Sequence, residues 1–411
     1  MGSPPENDSD SGWFHDLLEG VTYYYLSGLV LLLGVSFGSD VVWKPPNPSS
    51  ERPDLEISCS RFDGLHYEEI VDKGYLYDPS TKSNVAFFPA YPLSARAFRY
   101  IFDCETKVGL LVVSNLALLG SFVLLARYLR MRPIRGGGLR GWVLLAFAVW
   151  PTTFFFRMAY AESLFVFCSL LALYGIARRW ALFPLALVTG LACATRPVGV
   201  AVSAAFIWHV VQQPGSWLSR CGRVLLLGPV ACWGLLAYMA YQYDSFGTPL
   251  AFSHTQDYWT HYAPVRHPEP AEKLWALVTL EPVRGVYDPE SKRYWARSGG
   301  PNYLLFNLAY WNPLLFGLAV FLVALGAARR WLSGPEVVLS AAALAIPYFT
   351  RGYEMSMASH GRFAAAVLPV YLVAGRLLAC LPPPMAGAVT GVSTAVLACW
   401  TALFAAGHIF F

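Results

Sequence analysis

The stretch Arg61-Phe62-Asp63-Gly64-Leu65-His66-Tyr67 holds the residues best suited to chemistry. A carboxylate and an imidazole three positions apart share one helical face, so Asp63 and His66 can bracket one substrate. A carboxylate that faces a cavity accepts the proton of a nucleophilic hydroxyl. A simpler reading competes with this one. Aspartate before glycine at a helix start is a good N-cap, its oxygen taking a backbone N–H. Lys73-Gly74-Tyr75 and Ala86-Phe87-Phe88-Pro89-Ala90-Tyr91-Pro92 follow in the same region.

A second group is cationic. Arg157 and Glu162 lie in Phe154-Phe155-Phe156-Arg157-Met158-Ala159-Tyr160-Ala161-Glu162-Ser163, and Arg196 lies in Ala194-Thr195-Arg196-Pro197. Arg351 and Arg362 flank His360. Charges on an apolar background are costly and face a cavity or a partner. Guanidinium groups bind phosphate in a bidentate fork, so the set forms an anion site suited to an isoprenoid phosphate. The structural alternative pairs Arg157 with Glu162 and Arg351 with Glu354, and lets the others reach the interface along their own stems. Further on, Phe252-Ser253-His254-Thr255-Gln256 and Tyr258-Trp259 offer rings, amides and hydroxyls. They suit contact with a sugar or lipid head group, and equally an interfacial aromatic belt.

These residues must be positioned by helices in lipid. Of 411 residues, 56% are hydrophobic and 14% charged, where a soluble domain carries about 25% charged residues. The mean hydropathy is +0.44. A span needs about 20 apolar residues, and runs of that kind fall at 21–43, 108–129, 141–156, 160–177, 181–195, 197–212, 222–243, 303–328, 335–350, 362–381 and 385–409. The runs at 141–156, 181–195 and 197–212 are short, as tilted, broken or re-entrant segments are, so the count lies between ten and twelve. The expected fold is therefore an all-α polytopic bundle of about eleven transmembrane helices, forming one domain over 21–411 behind a polar tail at 1–20 with a short amphipathic helix around Trp13–Leu18.

Orientation follows from arginine placement. Arg127, Arg130, Arg132, Arg135 and Arg140 share one short loop, and Arg178-Arg179, Arg220 with Arg223, and Arg329-Arg330 mark other turns on the same side. By the positive-inside rule that side is cytoplasmic, and so is the N-terminus. Segments 39–107 and 244–302 then lie outside as structured loops, with amphipathic helices at Leu65–Val71 and Leu93–Phe102 lying along the interface.

Several classes are disfavoured. There is no basic tract for nucleic acid, no P-loop and no dinucleotide fingerprint. Scattered histidines and unpaired cysteines predict no metal site, and no cofactor is expected. The acidic first twenty residues lack the features of a cleavable signal peptide. Cys59 and Cys104 share the first outer loop, either bonded or as free thiols.

Taken together, these motifs resemble the GPI second-mannosyltransferase (PIG-V) family, a group of the GT-C membrane glycosyltransferases. Phe62-Asp63-Gly64-Leu65-His66-Tyr67 is similar to its aromatic-Asp-x-x-His-aromatic motif, with Phe62 where tryptophan is usual. Ala86–Pro92 is similar to its Phe-Phe-Pro-x-Tyr-Pro motif, and Ala159-Tyr160-Ala161-Glu162-Ser163-Leu164-Phe165 to its Tyr-(Thr/Ser)-Glu-Ser-Leu-Phe segment. Ala194–Gly199 resembles its Ala-x-Arg-x-x-Gly segment, with Pro197 where serine is common. Gly361-Arg362-Phe363 with Pro369 resembles its C-terminal pattern. The order is kept from about residue 60 to 370.

The resemblance implies a GT-C-like fold and inverting transfer of a sugar, mannose above all, from a polyprenyl or dolichyl phosphate donor to a hydroxyl of a glycolipid or glycan. Asp63 would be the base. His66 would contact the acceptor or the donor phosphate beside it, and Arg157, Arg196, Arg362 and His360 would surround the phosphate. Tyr67, Tyr91, Glu162 and His254 are the further substrate-binding candidates. The Ala/Gly/Arg/Leu-rich composition favours a bacterial cytoplasmic membrane over the endoplasmic reticulum, with the site on the outer face. Two other classes compete: a transporter or flippase of lipid-linked sugars, and a non-catalytic subunit of a glycosylation complex. Both tolerate loss of the Asp63 carboxylate.

Overall fold

The computed structural model describes residues 10–45, 51–132, 138–259, 269–297 and 303–408. Every regular element among them is helical. Four segments are long and apolar enough to cross a membrane: Gly12–Val42, Thr106–Arg130, Leu308–Ala328 and Pro383–Ala405. Trp217–Ala231 and Trp233–Phe246 add a fifth if taken as one span bent by 55°. The bend falls just after Pro229, whose ring and missing N–H disrupt the helical ladder. The chain thus has the architecture of a helical membrane protein.

The expected count of about eleven spans is not what these helices supply. Leu139–Val149, Glu162–Ala177, Leu182–Thr195, Pro197–Val211 and Pro369–Cys380 are apolar, but each has only 10–17 residues. At about 1.5 Å of rise per residue, they fall short of a hydrocarbon core about 30 Å thick. The 141–156 run, for example, ends its α-helix at Val149 and continues as a 3-10 turn over Thr153–Arg157.

The first helix extends through the expected tail, covering the short amphipathic helix expected around Trp13–Leu18. It begins at Asp10 and runs unbroken to Phe37; the first nine residues lie outside the described ones. Asp16 is fully buried because three arginines surround its carboxylate: Arg127 at 3.1 Å, Arg130 at 2.7 Å and Arg140 at 2.8 Å. Polarity suggested a solvated tail, yet a buried charge is tolerated when it is paired. Gly20 lets this helix lie directly on its neighbour, since a Cβ there would stand 2.6 Å from the Val123 Cα. Small residues at such crossings are how membrane helices pack closely.

The core is aromatic. Phe122, Phe147, Phe154, Phe155, Phe156, Tyr371 and Trp400 are all buried within one cluster. The first loop segment is folded onto this body as Leu55–Cys59, Asp63–Lys73 and Ala90–Phe102, so both expected amphipathic stretches are helical. The second segment forms the shorter helices Ala251–His254, Pro270–Val278 and Glu281–Tyr287. The two segments are fastened together. The Ser83 N–H donates to Thr255 Oγ1 at 2.9 Å, and from the preceding Trp233–Phe246 helix the Tyr238 hydroxyl donates to the Val85 carbonyl at 2.9 Å. All eight cysteines are free, and Cys59 is buried.

Candidate functional site

Asp63 opens the Asp63–Lys73 helix as its first helical residue, and Phe62 is the cap position. The simple capping alternative therefore gives way. The Asp63 carboxylate does not bond its own helix but meets Arg362, Oδ2 to Nη1, at 2.7 Å. Oδ1 has no hydrogen-bond partner among the described residues.

The turn into this helix is strained. Phe62 has φ 57° and ψ −113°, a conformation that a non-glycine side chain holds only when its surroundings fix it. Its ring stands edge-on to Phe404 at 5.3 Å. Next to it, Arg61 Nε donates to the Ala405 carbonyl at 2.9 Å. The buried Tyr160 closes the turn. Its hydroxyl donates to the Arg61 carbonyl at 3.2 Å and accepts the Asp63 N–H at 3.3 Å.

Arg362 is the hub. Its Nε lies 3.1 Å from Glu162 Oε1, and Arg196 Nη1 lies 2.9 Å from the same oxygen. Neither of these two guanidinium nitrogens is aligned for a hydrogen bond to any partner among the described residues, so both contacts are Coulombic. The Arg362 guanidinium also packs over Phe155, Tyr160 and Phe363. Two carboxylates and two guanidinium groups thus form a chain, Asp63–Arg362–Glu162–Arg196, drawn from four separate parts of the sequence. Buried charges persist in this way when each has its opposite.

All four line a cavity of about 850 Å³, large enough for a glycoside or a lipid head group. His66 and Tyr67 line it too. His66 stacks on Phe87 and meets Trp259 edge-on, both at 5.0 Å. Burial pushes the imidazole below its ordinary value, and Lys82 adds to this, while Asp63 and Glu69 pull the other way. Tyr67 packs between Phe87 and Tyr91.

Four expected site residues lie elsewhere. Arg157 turns toward the first helix, where its guanidinium donates to the Tyr24 carbonyl, to Ser27 Oγ at 2.8 Å and to Asn115 Oδ1 at 3.0 Å. It neither pairs with Glu162 nor joins the cavity. His360 is completely buried, with Nδ1 3.1 Å from the Ala358 carbonyl and its ring against Phe316 and Phe363. The buried Tyr91 hydroxyl is spent on the Leu110 carbonyl and Ser114 Oγ, each at 2.8 Å. His254 is exposed and outside the cavity lining.

The cavity includes Gln256 and Trp259 from the stretch read as suited to sugar contact, and adds residues that were not singled out as site candidates: Lys82, Tyr160, Asp257, Lys273 and Glu354. Arg351 belongs to it as well, but its guanidinium serves the carbonyls of Gln256 and Trp259 rather than Glu354. Glu354 is engaged by Lys273. Tyr160 had a signal, since it sits inside a quoted motif; Lys82 and Lys273 look like ordinary surface lysines in sequence. Comparison with family models, curated proteins and solved structures gives no match.

Proposed function

We propose that this chain is an inverting membrane glycosyltransferase that moves a sugar, mannose in the first instance, from a polyprenyl or dolichyl phosphate to a hydroxyl of a glycolipid or glycan. One observation carries the reading. Asp63 is held by Arg362 through one oxygen, with the other open, in a cavity of about 850 Å³. A fixed carboxylate with a free oxygen is what a general base needs. The ordered resemblance of the surrounding motifs to the PIG-V family supports the same reaction class.

In this reading the acceptor hydroxyl gives its proton to Asp63 Oδ1 while its oxygen bonds to the anomeric carbon. Arg362 orients Asp63, and Glu162 orients Arg362 in turn. His66, neutral because it is buried, hydrogen-bonds a sugar or acceptor hydroxyl. The reading places the cavity at the outer face of the membrane. Arg127, Arg130 and Arg140, gathered on Asp16 at one end of the bundle, support a cytoplasmic end there.

The test is transfer by purified Asp63→Asn protein supplied with polyprenyl-phosphate sugars, with product read by mass spectrometry. General bases contribute about 10²- to 10⁴-fold, so the variant should lose at least about a hundredfold in rate while inserting normally. Transfer at the wild-type rate would remove Asp63 from the reaction.

A further inference from the structure

Inversion sets a condition that the Asp63–Arg362–Glu162–Arg196 chain does not meet. The attacking oxygen and the leaving phosphate stand on opposite sides of the anomeric carbon, so the base and the phosphate-holding cation must lie at opposite ends of the sugar. Arg362 touches the base itself at 2.7 Å. A phosphate held there would depart on the side from which the hydroxyl attacks.

Charge leads to the same conclusion. Asp63 and Glu162 balance Arg362 and Arg196, which leaves no net attraction for an anion. The rest of the cavity lining carries Lys82, Lys273 and Arg351 against Asp257 and Glu354, an excess of one positive charge. Lys273 is engaged by Glu354. Arg351 is spent on two backbone carbonyls. Lys82 has no carboxylate partner among the described residues; its Nζ stands 5.4 Å from the centre of the Trp259 ring.

The path from Asp63 to Lys82 is paved with rings. His66, one helical turn beyond Asp63, stacks on Phe87 and abuts Trp259, and Phe87 meets Trp259 at 5.4 Å. Flat apolar surfaces of this kind take the C–H face of a sugar. The backbone beside the lysine is fixed, because the Ser83 N–H is tied to Thr255, on the segment that carries Trp259, while the Lys82 side chain is exposed at the cavity rim.

We propose that Lys82 is the phosphate-binding residue of this cavity, holding the phosphate of a lipid-linked sugar while the sugar lies over His66, Phe87 and Trp259 toward Asp63. The proposal rests on the transferase reading. As the acceptor oxygen bonds to the anomeric carbon, its proton passes to Asp63. The bond from that carbon to the phosphate oxygen breaks with its electron pair, and the phosphate gains one negative charge beside Lys82.

The experiment measures binding of farnesyl phosphate, farnesol and inorganic phosphate to the full-length protein in nanodiscs, for wild type, Lys82→Ala and Lys82→Arg. Loss of one charge-assisted contact should weaken farnesyl phosphate about ten- to hundredfold in Lys82→Ala, with most of it restored in Lys82→Arg. Farnesol binding and the thermal midpoint should not change. Equal farnesyl phosphate affinity in wild type and Lys82→Ala overturns the assignment, and inorganic phosphate binding as tightly as farnesyl phosphate overturns the lipid-linked ligand. The two readings separate cleanly. Sugar transfer with an unaltered donor KM in Lys82→Ala leaves the transferase standing without this subsite. Lys82-dependent lipid-phosphate binding with no transfer of any sugar leaves the subsite without the transferase.

Discussion

Arg362 Nη1 lies 2.7 Å from Asp63 Oδ2 across 299 positions of sequence. The contact joins a loop helix near the start of the chain to a short helix near its end. Glu162 makes it durable by holding the other side of the guanidinium.

Glu162→Gln should therefore be costly. The carboxylate is 2% exposed, and its loss leaves Arg196 and Arg362 with Asp63 as their single counter-charge. Breaking a buried pair costs about 3–5 kcal/mol. The predicted outcome is destabilisation at the lower end of that range, seen by chemical unfolding in detergent, with part recovered in the double variant Glu162→Gln/Arg196→Gln. Strict additivity of the two single changes would show that the charges act independently.

Tyr160→Phe tests how the base is aimed. The hydroxyl holds both the Arg61 carbonyl and the Asp63 N–H, and a hydrogen bond of this kind contributes about 1 kcal/mol. Transfer kinetics should show kcat down by about tenfold with KM little changed. A rise in KM at constant kcat would mean that Tyr160 binds substrate instead.

His66 predicts a pH dependence. Burial lowers its pKa in the folded protein, so the unfolded chain binds the proton first. The associated stability is fully present above the ordinary histidine value of about 6.5. It is lost progressively as pH falls from there through the lowered folded value. Thermal midpoints between pH 7.5 and 5 should fall for wild type and fall less for His66→Gln. Parallel curves for the two proteins would assign the titration to another group.

Much of the site was legible because charge is scarce in this chain. Asp63, Glu162, Arg196 and Arg362 stand out against apolar neighbours, and all four reach one cavity. Arg157 stood out equally, but direction decides its fate. It ends a 3-10 turn that aims the side chain at Tyr24 and Ser27, and no spacing rule encodes that. Tyr91 lies on an amphipathic helix whose buried face is set by Leu110 and Ser114 of the next helix, a tertiary fact. Lys82 was invisible for the opposite reason: in a polar loop one lysine resembles any other until Trp259 is seen beneath it. The span count failed on length, since hydropathy marks apolar runs but not where prolines and 3-10 turns divide them.

The burial of Asp16 has a consequence for how the chain is made. Its three arginines follow it by 111, 114 and 124 positions. At about 5–20 residues per second of synthesis, the carboxylate waits roughly 5 to 25 seconds for its partners. During that interval the first helix carries an uncompensated charge and cannot settle into its final depth. Nascent chains halted before Arg127 should leave the Asp16 region open to protease, and chains halted after Arg140 has emerged should close it; equal protection in both would show that the helix seats without them. The Asp10–Phe37 helix is thus secured only once the segment carrying Arg140 has been made.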